Sequence, residues 1–327
     1  MNILIIRLSS LGDVVLTQST AAVLREQYPD ARLHFITKKA FVPIIEAFDC
    51  IDKIHIWEEY KSFSKLLRLG RNNFDLVIDL HNKFNTFLIK TIVNGKRTIT
   101  YNKKHGLRRK IVKHKTSETI SSTVDLYFSI FSKLGISVEV KQPKLYPQQF
   151  EKSLINKLKY NDKQLIGIFP GALHKTKQYP IEQTAKVINN LSDSFHCILL
   201  GSSNELPLSE KLASLSNKEV TNLCGKLSIS ELISAINSMD IILSNDSGPM
   251  HIAAALRKKQ IAIFGATHPK LGFAPMNKQA IVISADLDCQ PCSLHGSTSC
   301  PLDHFNCMKS IIFTEIISSI ENLNSNR

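Results

Sequence analysis

The stretch Ser244-Asn245-Asp246-Ser247-Gly248-Pro249-Met250-His251 decides the reading of the whole chain. Before it, Asp240-Ile241-Ile242-Leu243 is a short apolar run of the kind buried in a parallel sheet. After it, Ile252-Ala253-Ala254-Ala255-Leu256 reads as helix. A strand, a tight polar turn and a helix start place free backbone N–H groups and the positive end of a helix dipole at the strand's carboxyl edge, where α/β proteins bind ligands. Pro249 suits a first helical turn, whose N–H groups lack partners in any case. On spacing alone the stretch is either a ligand loop or an ordinary turn capped by Asn245, Asp246 or Ser247.

Outward from this point the rhythm repeats. Strand candidates at Ile3–Arg7, Arg32–Thr37, Lys53–Ile56 and Asp75–Leu80 alternate with helical segments at Val14–Tyr28, Phe41–Phe48 and Tyr60–Leu69. The rhythm restarts at Gln164–Phe169 and continues through strands at His196–Leu200, Val220–Leu223, Gln260–Phe264 and Ala280–Ser284. Helices are expected at Ile181–Leu191, Glu210–Ser216 and Ser228–Asn237, the last with a Ser228/Glu231 capping box. A further helix is expected at Glu118–Leu134, and the polar stretch Lys141–Tyr160 reads as an interdomain linker. The expected class is α/β, with two Rossmann-like, doubly wound domains at 1–150 and 151–310 facing across a cleft. A C-terminal segment, 311–327, is expected to pack back on the N-terminal domain.

The 327 residues are 43% apolar, with no run near the length that spans a bilayer. The N-terminus is expected to be a first strand rather than a signal peptide, and the protein to be cytoplasmic. Charge is uneven: residues 1–150 hold 24 Lys/Arg against 13 Asp/Glu, and the remainder 17 against 15. This balance points either to an anionic partner for the first half (nucleic acid, an acidic membrane surface or a phosphorylated substrate) or to a merely solvated basic face. No nucleic-acid motif accompanies the charge, so nucleic acid is not expected. The densest block, Lys103–Lys115, contains Lys103, Lys104, Arg108, Arg109 and Lys110 and no acid. It reads as a mobile loop or a basic arm over a groove.

Several residues could carry chemistry. Ser9-Ser10-Leu11-Gly12-Asp13 follows the first strand but lacks the spaced glycines of a dinucleotide site. Asp13 instead offers a carboxylate at a helix N-terminus, able to act as a base or merely to complement the dipole. Lys175 and Lys177, after Pro170-Gly171-Ala172, suit a departing diphosphate. Glu205, in Gly201-Ser202-Ser203-Asn204-Glu205, is either a ribose acceptor or a solvated surface acid. Cys289, Cys292, Cys300 and Cys307 are either a structural metal site or quiet thiols; a zinc ribbon would need a tighter second pair.

Taken together, these motifs resemble those of the heptosyltransferases of glycosyltransferase family 9. The resemblance runs through Arg7-Leu8-Ser9-Ser10-Leu11-Gly12-Asp13-Val14-Val15-Leu16-Thr17, Pro170-Gly171-Ala172 with Lys177 and Pro180, Asn245–Ala254, and Phe264-Gly265-Ala266-Thr267-His268-Pro269. The cysteine-rich tail is similar to that of a subset of members, whereas Gln178-Tyr179 before Pro180 departs from the common pattern. The resemblance implies a GT-B fold and an inverting transfer of heptose from ADP-heptose to a Kdo- and heptose-bearing lipid A core. It implies no catalytic metal, with structural zinc an open addition, and peripheral contact with the inner face of the inner membrane. It implies Asp13 as base, Lys177 at the donor diphosphate and Glu205 at the ribose. It also implies donor binding by Asp246, Ser247, Gly248 and His251. The anionic acceptor would be seated by Lys103, Lys104, Arg108, Arg109 and Lys110. The remaining alternatives are a GT-B transferase or epimerase using another sugar nucleotide, and a non-catalytic basic binding protein.

Overall fold

The structure, a computed structural model, describes residues 1–147 and 163–325. Two compact units divide it: Met1–Lys104 with Ser122–Tyr146, and His105–Ser121 with Pro147–Arg327. Residues 148–160 of the expected linker and the last two of the chain lie outside the described residues.

The first unit is built on a five-stranded parallel sheet, ordered β3-β2-β1-β4-β5. Its strands are β1 (Asn2–Ile6), β2 (Arg32–Thr37), β3 (Lys53–Ile56), β4 (Leu76–Asp79) and β5 (Arg97–Thr100). Helices cover both faces, so β1 reads as an unbroken apolar run, and Ile3 to Ile6 are fully buried. The segment expected as one helix from Val14 is two, Leu11–Leu16 and Gln18–Gln27. At the break the Thr17 hydroxyl donates to the Val14 carbonyl at 2.6 Å. Because the strand order reverses beside β1, the turns that follow β1 and β4 are neighbours, which defines the switch point of the sheet.

The second unit has a six-stranded parallel sheet, ordered β11-β10-β9-β6-β7-β8. Its strands are β6 (Gln164–Phe169), β7 (Phe195–Leu199), β8 (Val220–Asn222), β9 (Ile241–Asn245), β10 (Lys259–Phe264) and β11 (Ala280–Ser284). Its switch point lies between β6 and β9. The Ser228/Glu231 capping box forms, with Ser228 N–H donating to Glu231 Oε2 at 2.7 Å.

Two expectations need correction. The basic block is no mobile loop: His105–His114 is a helix grouped with the second unit, and the next helix begins only at Thr123. The C-terminal helix Phe313–Ser325 packs on its own unit rather than the first. Its stripe of Ile316, Ile320 and Leu323 recurs at helical spacing and enters the core formed by β10 and the helix Ile181–Asn190.

Candidate active site

Each unit carries its own polar site at its switch point. In the first, β1 is followed directly by Arg7, which is almost buried and bonds back to the following turn. Its guanidinium donates to the carbonyls of Ser9 (2.7 Å) and Leu80 (2.5 Å) and pairs with Asp13 Oδ2 at 2.6 Å. Ser10 caps the helix Leu11–Leu16, and its hydroxyl donates to the same Asp13 oxygen at 2.8 Å. The turn therefore holds Asp13 twice, by charge and by capping, while its side chain keeps 20% exposure. A carboxylate so fixed at a helix N-terminus is oriented for a hydroxyl arriving from solvent.

The turn after β4 adds groups that sequence reasoning did not single out. Asp79, fully buried, accepts from the backbone of His81 (2.9 Å) and Asn82 (2.8 Å), and from Thr86 and Lys90 through its other oxygen. Burial, with Arg7, Lys83 and Lys103 nearby, pushes His81 down to about 3 and keeps the ring neutral. Burial lowers Lys103 to about 8, aided by Arg7 and Lys83 and opposed by Asp13 and Asp79. Arg7, Lys83 and Lys103 thus give this switch point a positive field around two carboxylates. The one signal in the sequence was His81-Asn82-Lys83 directly after a well-marked strand.

The expected acceptor residues separate. Lys103 belongs with Asp13, and Lys104 is exposed at the end of the first unit. In the second unit Arg108 is buried with its guanidinium 4.7 Å from the centre of the Phe273 ring, and Lys110 pairs with Glu118 at 2.7 Å. Arg109 is exposed. Spacing in the sequence could not show that these five residues divide between two units.

In the second unit the opening stretch does several tasks. Ser247 is the cap residue of the helix Gly248–Ala255, though its side chain makes no capping bond. Asn245, buried at the end of β9, donates through its amide to the carbonyls of Phe169 (3.3 Å), Pro170 (3.0 Å) and Gly171 (3.1 Å). Its oxygen accepts from Tyr179 N–H at 3.0 Å, so one side chain fixes the turns on both sides of Lys177. Asp246 Oδ2 pairs with Lys177 Nζ at 2.8 Å and accepts from the Thr267 hydroxyl at 2.6 Å. Thr176, next to Lys177, exchanges hydrogen bonds with Ser297 and accepts from Ala266 N–H through its carbonyl. Lys177, Asp246 and Thr267 therefore meet beside the first turn of the helix Gly248–Ala255, an arrangement suited to a phosphorylated ligand. His251 is buried on that helix.

Glu205 caps its own turn: Oε2 accepts from Ser202 N–H and hydroxyl, both at 2.7 Å. Its carboxylate also presses on the turn after β6, since a Cβ at Gly171 would fall 1.9 Å from Oε1. The sequence reading of Glu205 as solvated surface acid is incomplete, because the side chain belongs to the Pro170-Gly171-Ala172 turn.

Cys289, Cys292, Cys300 and Cys307 are free thiols. Burial raises Cys292 and pushes Cys307 up to about 12, and the neighbouring cysteines add to both shifts. Among the described residues no three His, Cys, Asp or Glu side chains are arranged to hold a metal ion. The tail packs on the motif Gly265–Ala266, where Gln290 donates to the Gly265 carbonyl at 2.6 Å and Cys292 N–H to that of Ala266 at 3.0 Å. No helix among the described residues is long and apolar enough to cross a membrane.

Two Rossmann-like units, each with a polar site at its switch point, give the chain the GT-B fold. The fold is shared with the E. coli ADP-heptose lps heptosyltransferase II structure (TM-score 0.80, 20% identity, 99% of this chain and 98% of that one). It is shared equally with a family 9 glycosyl transferase of Veillonella parvula (TM-score 0.82, 20% identity, 100% and 98%). Residues 63–302 match the model of glycosyltransferase family 9 (heptosyltransferase), and the chain belongs to that family. It is 29% identical over 327 residues to lipooligosaccharide heptosyltransferase 2 of Campylobacter jejuni, covering 97% of this chain and 96% of that one. It is 25% identical over 276 residues to lipopolysaccharide heptosyltransferase 3 of Escherichia coli K12, covering 78% and 80%.

Proposed function

We propose that this glycosyltransferase moves a heptose from ADP-heptose to the inner core of a lipopolysaccharide or lipooligosaccharide, with inversion at the anomeric carbon. The observation that carries the reading is Asp13, fixed by Arg7 and Ser10 at the switch point of a family 9 chain yet still open to solvent. The Asp13 carboxylate takes the proton of an acceptor hydroxyl while that oxygen bonds to the anomeric carbon. The bond from that carbon to the diphosphate breaks on the opposite face, and ADP leaves.

Lys177 and the backbone N–H groups opening the helix Gly248–Ala255 meet the charge that develops on the departing diphosphate. Asp246 holds Lys177 and faces the sugar hydroxyls, Ser247 and Gly248 lie at the phosphates, His251 supports the loop, and Glu205 accepts from the ribose. The charge is met by these groups, and the reading assigns no metal to the chemistry.

On the acceptor side, Lys103 is the leading cation for core phosphates and Kdo carboxylates, with Lys104 beside it. Arg109 is an exposed cation on the helix His105–His114, whereas Arg108 is buried against Phe273 and Lys110 is paired with Glu118, so these two act by holding that helix. An acceptor linked to lipid A places the protein in the cytoplasm against the inner face of the inner membrane. The basic first unit supports that placement.

Replacement of Asp13 by Asn tests the reading. It keeps the Ser10 contact but removes the base, so kcat should fall by about 100-fold or more, with the donor Kd unchanged. Transfer at the wild-type rate would remove Asp13 from the role.

A further inference from the structure

The helices Phe63–Gly70 and Phe84–Val93 lie side by side in the first unit, so close that a Cβ on Gly70 would fall 3.1 Å from the Val93 carbonyl oxygen. Each sends one stripe into the core beneath, Leu66 and Leu69 from the first helix, Ile89 and Val93 from the second. The opposite face of such a helix ordinarily carries polar groups. Here Phe84 and Phe63 are 75% and 65% exposed, and Leu67, Phe87 and Leu88 are exposed with them. Phe63 and Leu67 are four residues apart, and Phe84, Phe87 and Leu88 fall within one turn, so each set forms a single stripe. Scattered surface hydrophobes need no explanation, but five on two touching helices form a patch that does.

The charges around the patch have one sign. Lys61, Lys65, Arg68, Arg71 and Lys83 are exposed on or beside the same helices. From residue 61 to 104 there are ten Lys/Arg, and the only acids are Asp75 and Asp79, already paired with Lys96 and Lys90. A second copy docked through this face would set Lys65 and Arg68 against the same cations across a two-fold axis. Anionic lipid headgroups match the cations, and the acyl boundary beneath them takes aromatic and leucine side chains.

We propose that this face docks the protein on an anionic lipid bilayer, with Phe63, Phe84 and Phe87 entering the headgroup–acyl boundary and Lys61, Lys65 and Arg68 on the headgroups. The proposal adds the surface to the membrane placement argued above and rests on it, yet it is tested without donor or acceptor.

The test is co-sedimentation of the full chain with phosphatidylcholine vesicles, with and without phosphatidylglycerol. The wild type should sediment with phosphatidylglycerol-containing vesicles and only weakly with phosphatidylcholine alone. The double variant F84S/F87S should lose about tenfold or more in partitioning, with its melting temperature unchanged because both side chains are exposed. The variant K65E/R68E should lose the preference for phosphatidylglycerol. Both should keep the wild-type rate on a delipidated, water-soluble acceptor. Wild-type-like vesicle binding by F84S/F87S would overturn the proposal, as would conversion of a wild-type dimer to monomer by these substitutions. Vesicle binding in a protein that transfers no sugar would uphold the docking face and fault the enzymatic reading alone.

Discussion

Lys177 and Asp246 hold each other at 2.8 Å, with side chains 15% and 7% exposed. Replacing Lys177 by Met leaves the Asp246 carboxylate nearly buried, bonded to the Thr267 hydroxyl at 2.6 Å but without its cation. Removing one member of a buried pair costs about 3–5 kcal/mol, and the partial exposure of Lys177 reduces this to about 2–3 kcal/mol. For a unit of this size the melting midpoint should fall by about 4–12 °C. The double variant K177M/D246N removes the stranded charge and keeps an acceptor for Thr267, so most of that loss should be recovered.

Binding should not recover. A charge-assisted hydrogen bond from Lys177 to the donor diphosphate contributes about 1.5–3 kcal/mol. Its loss weakens ADP-heptose binding by about 10- to 150-fold in both variants. Differential scanning calorimetry gives the first quantity and titration calorimetry with ADP-heptose or ADP the second. Wild-type affinity in the double variant would show that Lys177 serves only the fold, and an unchanged midpoint in the single variant would refute the argument from burial.

Two other outcomes are expected. Gly171→Ala drives a methyl into the Glu205 carboxylate, so it should weaken ADP binding while leaving affinity for ribose-free diphosphate nearly unchanged. Equal losses on both ligands would remove Glu205 from the ribose. The second outcome concerns acid stability. Burial, with nearby cations, holds His34 at about 4 and His55 at about 3, below the ordinary 6.5. The unfolded chain therefore takes up protons on these rings before the folded one does. Stability present above pH 6.5 is lost as pH falls, by about 2 kcal/mol per ring near pH 5. The chain's single tryptophan, Trp57, packs on the core of the same unit, so denaturant melts followed by its fluorescence should show this decline. A midpoint flat from pH 7.5 to 5 would contradict it.

What the sequence made legible was local. The strand–turn–helix at Asp240–Leu256, the Ser228/Glu231 box and the Asp13 turn all depend on neighbours within a few residues, where propensity and capping chemistry act. Pairings across long separations were not legible. Nothing in the chain order shows that Asn245 bonds to Phe169, Pro170 and Gly171 some 75 residues earlier, or that Asp79 closes the turn beside Arg7. Strand order creates those meetings, and strand order is a tertiary property. The basic block misled for a related reason. Its charge suggested a mobile loop or a basic arm over a groove, but Ile111 and Arg108 are buried and the segment is a helix grouped with the second unit. The helix Phe84–Val93 shows the same limit, because a segment apolar on nearly every side does not reveal by period which side meets the core.

Inverting heptose transfer by Asp13 carries the proposed function. Its most direct measurement is transfer from ADP-heptose to a core-truncated lipopolysaccharide acceptor in chelator-treated buffer. The product would be read by mass spectrometry and its anomeric configuration by NMR. The expected result is one added heptose of inverted configuration, one ADP released per transfer, and loss of product in Asp13→Asn. Transfer from a different sugar nucleotide with ADP-heptose inert, or a product of retained configuration, would contradict it.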